Sequence, residues 1–227
     1  ALRLLFASGA QGLVTLQNGT TATNAGDNAV FISATDLDTA VTLIADTSNF
    51  SDSGNTATAS GGNGIEALVM SDATITLDIL DTPITNTIST LPQLRGLRFE
   101  VESGGQLYGT FDNSTLSDHF LDGIDGSVTG SGVLDSLAVI TLIDSPVERN
   151  ELFGAIFDVT ADVDLVLDVS GAALLNSISS NGANGIFANV DGAGSTAVFM
   201  LDGTVIDGNG NIVGGDGMTL VGDNGAI

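Results

Sequence analysis

The chain has 227 residues and a formal net charge of −24, with 28 acidic residues, four arginines and no lysine. Such a charge argues against partners that need a basic footprint, namely nucleic acid and anionic membrane surfaces. The absence of cysteine excludes disulfides and thiol chemistry, and no apolar run is long enough to cross a membrane as a helix.

The first 27 residues are predicted to form an incomplete coil. Leu2, Leu4 and Phe6 alternate with other residues, and a second short strand is expected over 13–16. Nothing here has the spacing of an amphipathic helix that would cap a solenoid.

The stretch 63–89 defines one predicted coil. It starts with Asn-Gly-Ile at 63–65, alternates apolar and polar residues up to position 69, and alternates again over 75–79. A corner at 81–83 (Asp-Thr-Pro) precedes a third, shorter run. Three period-2 runs separated by corners describe one turn of a three-sided coil.

This pattern recurs with a period of 27–32 residues after a longer first coil. A glycine before the first apolar residue marks the recurrences, at Gly64, Gly96, Gly123, Gly154, Gly185 and Gly217. The corner at 81–83 returns as Asp-Ser-Pro at 144–146. We predict an all-β fold, a right-handed parallel β-helix of six to seven coils. We expect it to form one segment over 1–227, part of a longer solenoid with both ends uncapped. An antiparallel β-sandwich is the alternative, but the corners recur in phase with the strands.

Superposing the coils predicts which side chains point into the core. On the first strands they are Ile65, Ala67, Val69, Leu97, Phe99, Val101, Ile124, Gly126, Val128, Ala155, Phe157, Val159, Ile186, Ala188 and Val190. On the second strands they are Val41, Leu43, Ile75, Leu77, Ile79, Leu107, Phe111, Ile140, Leu142, Leu165, Leu167, Val198 and Met200. Stacked strands lie about 4.8 Å apart, so each column is predicted to pack as a ladder.

The repeat length, the Asn-Gly or Asp-Gly opening and the three corners resemble the right-handed parallel β-helix group. That group includes pectate lyase-like enzymes, phage tailspikes and the passenger domains of bacterial autotransporter adhesins. Cysteine-free repeats rich in Gly, Asn, Asp and Thr are most similar to the adhesin or surface-fibre members. The resemblance implies an extracellular protein without catalysis, and it leaves a polysaccharide-degrading or polysaccharide-binding β-helix as the alternative.

One group of charged residues would suit that alternative, because related enzymes collect cations and aspartates in a cleft. Its members are Arg95, Arg98, Glu100, Glu102, Asp118, His119, Asp122 and Asp125. The competing interpretation is a charge ladder on the outer face, in which Arg98 lies between Glu66 and Asp125 of the neighbouring coils. We favour the ladder and expect His119 in a corner loop.

Metal binding is the more credible chemistry of this sequence. Carboxylates stacked at the second corner of successive coils would repel each other unless a hard cation such as calcium bridged them. The predicted column contains Asp46, Asp81, Asp112, Asp144 and Asp202. The competing interpretation is that each carboxylate bonds the backbone of its own corner in an Asx turn.

The sequence thus predicts a non-catalytic structural or adhesive segment of a secreted cell-surface protein or extracellular filament. An acidic surface suits an extracellular setting rich in salt or divalent cations, although corner-forming aspartates alone would give the same charge. The expected partners are another copy docking head to tail, further chain of the same protein, or surface glycans. Nucleic acid and membrane insertion are not expected.

Overall fold

The computed structural model describes residues 2–23, 25–54, 62–87, 92–131, 134–171, 176–212 and 214–223. Every regular element in these ranges is a β-strand, and the strands form three parallel sheets. The sheets stack as a β-solenoid of about seven turns, which confirms the predicted all-β solenoid. Its right-handedness remains a prediction, supported by the strong preference of parallel crossovers for that hand.

The first sheet contains the first strand of each coil. Its spatial order is β1 (Leu2–Phe6), β3 (Val30–Ala34), β5 (Gly62–Met70), β8 (Gln93–Glu102), β11 (Ile124–Thr129), β14 (Ala155–Thr160), β17 (Ile186–Asp191) and β19 (Met218–Asp223). One column of this sheet runs through Leu2, Val30, Ile65, Leu97, Ile124, Ala155, Ile186 and Met218. Consecutive coils are therefore 27 to 35 residues apart, with the longest interval where the looser coil is predicted.

The other two sheets complete the coil. The second sheet has the order β18 (Thr196–Leu201), β15 (Asp164–Ser170), β12 (Leu137–Ile143), β9 (Gln106–Asp112), β6 (Thr74–Leu80), β4 (Ala40–Asp46) and β2 (Gln11–Leu16). The third sheet consists of two-residue strands, β16 (Ile178–Ser179), β13 (Val147–Glu148), β10 (Leu116–Ser117) and β7 (Ile84–Thr85). Residues 88 and 89 of the predicted coil lie outside the described residues.

The core fills the space between the sheets with columns of apolar side chains. Every predicted inward position on the first strands is buried, and so are those on the second strands from Val41 to Leu167. Large and small residues alternate where the columns would otherwise be overfilled. The rings of Phe99 and Phe157 lie 6.3 Å apart across Gly126, whose Cα faces the Phe99 ring so closely that a Cβ would lie 2.2 Å from it.

The predicted inward positions on β18 are wrong. Val198 and Met200 point outward and are 42% and 47% exposed, whereas Phe199 packs against Phe157 with ring centroids 6.2 Å apart. The reason lies at the preceding corner, where the Ser195 hydroxyl is buried and accepts a hydrogen bond from the Asp162 N–H at 3.0 Å. Because side chains alternate along a strand, an inward residue 195 puts the odd-numbered residues of β18 inside.

A column of glycines marks the start of each coil, as the recurring Asn-Gly and Asp-Gly pairs predict. The carbonyl group of each of these glycines lies close to the Cα of the glycine in the preceding coil. A Cβ on Gly123 would lie 2.7 Å from the carbonyl oxygen of Gly154, and a Cβ on Gly154 would lie 2.5 Å from the carbonyl oxygen of Gly185. These glycines are therefore needed for close backbone approach between coils.

Candidate functional site

The five aspartates predicted to form one metal-binding column lie in two columns. Asp46 and Asp112 share a register position with Leu80 between them, and Asp202, directly after β18, continues that position. Asp81 and Asp144 lie one residue further along the coil, in left-handed backbone with φ of 49° and 47°. Asp tolerates that conformation better than most residues, which explains why it occurs at the second of these two corner positions.

This split removes the geometric basis of the predicted calcium column. Asn113 lies in the column of Asp81 and donates from Nδ2 to its Oδ1 at 2.5 Å, so an amide neighbours the carboxylate there. Within the described ranges, no three His, Cys, Asp or Glu side chains come together as a metal site. The single column is wrong, and calcium binding stays a prediction.

A ladder of buried hydroxyls lies on the inner side of this corner, and we call it the hydroxyl ladder. The N–H of Ser48 donates to Thr82 Oγ1 at 3.2 Å, that of Thr82 to Ser114 Oγ at 3.1 Å, and that of Ser114 to Ser145 Oγ at 2.9 Å. The Ser145 hydroxyl in turn donates to a backbone carbonyl, that of Ile143, at 2.8 Å. Each rung therefore satisfies backbone groups that the corner removes from the sheets.

A second ladder, built from amides, lies inside the third corner, and we call it the amide ladder. Asn150 Nδ2 donates to Asn181 Oδ1 at 2.9 Å, and Asn181 Nδ2 donates to Asn209 Oδ1 at 3.0 Å. The backbone N–H groups of Asn150 and Asn181 donate to the same oxygens at 3.1 Å. Asn150 and Asn181 are fully or almost fully buried, so these bonds replace those that water would supply.

His119 is the rung of the amide ladder before Asn150. As predicted it lies at a corner, but its imidazole is fully buried. Its Nδ1 lies 2.7 Å from Asn150 Oδ1, an acceptor, so Nδ1 carries the proton; Nε2 lies 3.3 Å from the Nε2 amide of Gln93 and accepts. Burial lowers the pKa of His119 to about 4, so the imidazole is neutral at physiological pH and sealed from any substrate.

The outer face of the first sheet carries the charge ladder that the sequence predicts. Arg98 lies in register between Glu66 and Asp125. Its Nη1 contacts Glu66 Oε1 at 2.9 Å and it also pairs with Glu100. Asp125 instead pairs with Arg95, whose Nε lies 2.6 Å from the Asp125 carboxylate. These charges neutralise one another along the sheet.

Asp122 is the most perturbed carboxyl of this face. It is nearly buried, with Arg95 Nε at 3.3 Å and the N–H of Phe153 donating to its Oδ1 at 3.2 Å. Burial raises the pKa of Asp122 to about 6, since neither contact fully compensates for lost hydration. Burial also raises the pKa of Asp125. Both carboxyls are therefore harder to ionise than ordinary surface aspartates.

The remaining members of the predicted charged group point elsewhere. Although burial opposes it, hydrogen bonds from Arg149 hold the pKa of Asp118 below its usual value. Arg149 Nε lies 2.8 Å from Asp118 Oδ1, and Nη1 lies 2.8 Å from Glu148. His119 faces the core next to this pair. The group predicted from sequence is thus divided among an outer face, a corner and the interior.

A shallow cleft of about 340 Å³ lies beside the first coils, at a place that the sequence patterns do not single out. It is lined by Leu2, Arg3, Asp27, Asn28, Phe31 and Glu66. The guanidinium of Arg3 lies over the Phe31 ring, 5.1 Å from its centroid, and Glu66 accepts a bond from Asn28 at 2.8 Å. An aromatic ring beside carboxylates and an amide suits the binding of a polar, ring-shaped ligand better than it suits catalysis.

Comparison of the chain with family models, with curated proteins and with solved structures gives no match. The resemblance to adhesin-type β-helices therefore stays a prediction, and what the structure establishes is the parallel solenoid. Among the described residues, no helix is present that could cross a membrane.

Proposed function

We propose that this chain is a non-catalytic structural segment of an extracellular or cell-surface fibre, with adhesion as an associated role. The observation that carries the proposal is how the polar side chains of the corners are used. Those of the hydroxyl and amide ladders point inward and hold one coil to the next, and the histidine is neutral and buried. A molecule whose polar corner side chains bond each coil to the next in a uniform way is suited to a structural role as a rod.

The charged outer face supports the same proposal. Its arginines contact carboxylates on their own or adjacent coils, so they reduce acidic repulsion along the rod. A lyase or hydrolase instead needs charged groups that converge on one place where a substrate can reach them. The excess of aspartate suits a saline extracellular setting, where counter-ions screen a charge of −24.

The experiment is incubation of the chain with acidic and neutral polysaccharides. New reducing ends and the absorbance of unsaturated products are measured against a buffer blank. We expect no release above the blank. Cleavage of any substrate that disappears with Asp122→Asn or Arg98→Gln would overturn the non-catalytic role and favour the depolymerase alternative. Electron microscopy of the native assembly is the second measurement, in which short capped particles would contradict a fibre.

Glycan binding without cleavage is a second candidate, favoured by the cleft beside Phe31. Its test is binding to a panel of immobilised glycans by wild-type chain and by Phe31→Ala. Phe187 occupies the same outward column on a distant coil and is similarly half-buried, so Phe187→Ala is the matched control. Loss of binding in the first variant alone supports the cleft; equal binding by both variants rejects it.

A further inference from the structure

The amide ladder continues beyond His119 into two earlier coils. Gln93 lies on the rung before His119, and Ser53 lies on the rung before that; both residues are fully buried. The backbone N–H of Ser53 donates to Gln93 Oε1 at 3.2 Å, and Gln93 Nε2 donates to the carbonyl of Phe50 at 3.4 Å. Gln93 therefore ties the segment 50–53 to the ladder by two hydrogen bonds.

From rung to rung, the side-chain donors of this ladder point the same way along the rod. Gln93 Nε2 donates to His119 Nε2, His119 Nδ1 donates to Asn150 Oδ1, and each later amide donates to the rung that follows it. This single direction requires a neutral imidazole, because neutral imidazole has one donor and one acceptor, whereas protonated imidazole has two donors. A proton on His119 Nε2 would therefore face the N–H of Gln93 across 3.3 Å, and two donors would repel each other.

We propose that His119, Gln93 and Ser53 form an acid-operated switch, in which a proton on His119 turns the side-chain amide of Gln93 around and releases the segment 50–53 from it. The imidazole stays in place, because its Nδ1 keeps the bond to the next rung and its Cε1 lies against Gly96, where a Cβ would come within 2.9 Å. Turning the amide exchanges an oxygen and an NH₂ group of similar size, so it needs no extra space. Gln93 Oε1 then accepts the hydrogen bond from His119 Nε2.

An unpaired hydroxyl lies where the turned amide would point. Ser53 Oγ is buried and has no hydrogen-bond partner among the described residues, although the backbone N–H of the same residue contacts Gln93. After the turn, Gln93 Nε2 faces Ser53, and this hydroxyl oxygen accepts the hydrogen bond. The bonds from Gln93 to the Ser53 N–H and to the Phe50 carbonyl are lost. In acid, one hydrogen bond therefore replaces two, and this corner is held less tightly to the next coil.

The charges around His119 set the range in which the switch operates. The charged residues on the corner segments packed around it are Asp52, Arg95, Asp118, Asp122, Glu148, Arg149 and Glu151. Burial lowers the pKa of His119 to about 4, and the bond to Asn150 and the carboxylate of Asp118 oppose this less strongly. Although burial opposes it, hydrogen bonds from Arg149 hold the pKa of Asp118 below its usual value, so this carboxylate is still largely ionised when the imidazole titrates. The switch therefore responds near pH 4.

The test is Ser53→Ala, which removes the hydroxyl that accepts in the acid form and that has no partner among the described residues at neutral pH. We expect unchanged stability at pH 7. The midpoint at which the imidazole C–H resonances titrate by NMR should fall by about 0.5–1 pH unit, because one hydrogen bond is lost from the protonated state alone. The matched control is Ser51→Ala on the same segment, which removes a hydroxyl contact with Thr85 and should leave this midpoint unchanged.

The second measurement follows backbone N–H groups in the wild-type chain. The Ser53 N–H should shift with the midpoint of the imidazole and lose protection from hydrogen exchange in acid, whereas the Gly54 N–H, bonded to the Ala25 carbonyl at 2.7 Å, should stay protected. The change at Ser53 should be absent from His119→Asn.

Three results would overturn the switch. An equal midpoint in wild type and Ser53→Ala would mean that another acceptor, such as the Ile84 carbonyl near the imidazole, takes the proton. An equal shift in Ser51→Ala would show that the effect is not specific to the unpaired hydroxyl. Loss of the circular dichroism of the folded chain before the imidazole titrates would show that no folded acid form exists. The switch does not rest on the structural role proposed above, and none of these results tests that role.

Discussion

The buried histidine predicts an acid sensitivity that can be measured at a single residue. Lowering the pKa of His119 from 6.5 to about 4 changes the free energy of unfolding by about 3 kcal/mol between neutral and acid pH, at about 1.4 kcal/mol per pH unit. Between those pH values the unfolded chain binds a proton that the folded chain rejects. The free energy of unfolding should therefore decrease as the pH falls through this window, and this contribution should level off below pH 4.

The informative variant is His119→Asn, which gives the amide ladder another asparagine at that rung. An Asn Nδ2 can donate to Asn150 Oδ1 in place of Nδ1, so we expect a small change at pH 7. The difference in unfolding free energy between wild type and variant should change by about 3 kcal/mol between pH 7 and pH 4, in favour of the variant. Titrating carboxylates affect both proteins alike and cancel in this comparison.

Urea unfolding at several pH values measures the difference, and NMR measures the cause. The chain has one histidine, so its imidazole C–H resonances need no assignment. The reasoning is refuted if they titrate near 6.5, or if the variant shows the pH dependence of wild type. His119→Ala is the control: it also removes the titration, but it deprives Asn150 of a donor and should cost about 1–3 kcal/mol at pH 7.

Three further outcomes are expected. Asp122→Asn should raise the free energy of unfolding at pH 7 by up to about 3 kcal/mol, because the pKa of Asp122 in the folded chain, about 6, lies above the usual 3.8. This gain in stability should vanish as the pH falls towards 4. Equal stability of the two proteins at pH 7 would show that burial does not raise the pKa of Asp122. Gly123→Ala should cost about 1–3 kcal/mol, because its Cβ would lie 2.7 Å from the carbonyl of Gly154, while Gly222→Ala meets open space and should be nearly neutral; similar unfolding midpoints for both would contradict the close approach. EDTA should leave the Tm unchanged, because the second-corner aspartates lie in two columns; a marked fall that calcium restores would revive the metal site.

The sequence predicts inward positions well wherever apolar and polar residues alternate strictly. β6 reads Thr-Ile-Thr-Leu-Asp-Ile-Leu, so only one of its two alternating sets of side chains, Ile75, Leu77 and Ile79, is apolar throughout and suited to the core. β18 reads Thr-Ala-Val-Phe-Met-Leu, with five apolar residues in succession, so its sequence alone does not show which alternating set of side chains points inward. The buried Ser195 directly before β18 decides which of its side chains point inward. Ser136 is buried in the same way directly before β12, and this match between the two corner serines was the signal available in the sequence.

The site predictions failed at the corners for a related reason. Two adjacent corner positions both accept aspartate, so spacing alone placed Asp81 and Asp112 in one column when they belong to two. The ladders were missed because serine, threonine and asparagine are expected in any corner. A visible signal was the Ser or Thr that directly follows the left-handed residue of the second corner in four coils, at Thr47-Ser48, Asp81-Thr82, Asn113-Ser114 and Asp144-Ser145. Which polar side chains point inward depends on the backbone path, which composition does not encode.

The stacking of whole coils has a mechanical consequence. Hydrogen bonds between coils run along the axis of the rod, and each coil is bonded only to the coils above and below it. Tension applied through the chain would therefore break the hydrogen bonds between an outer coil and its neighbour first, while the bonds between the inner coils stay intact. Each coil that detaches releases about 31 residues, or about 100 Å of extended chain. A fibre built this way would lengthen in steps under load, and its intact coils would remain to guide rewinding when the tension falls.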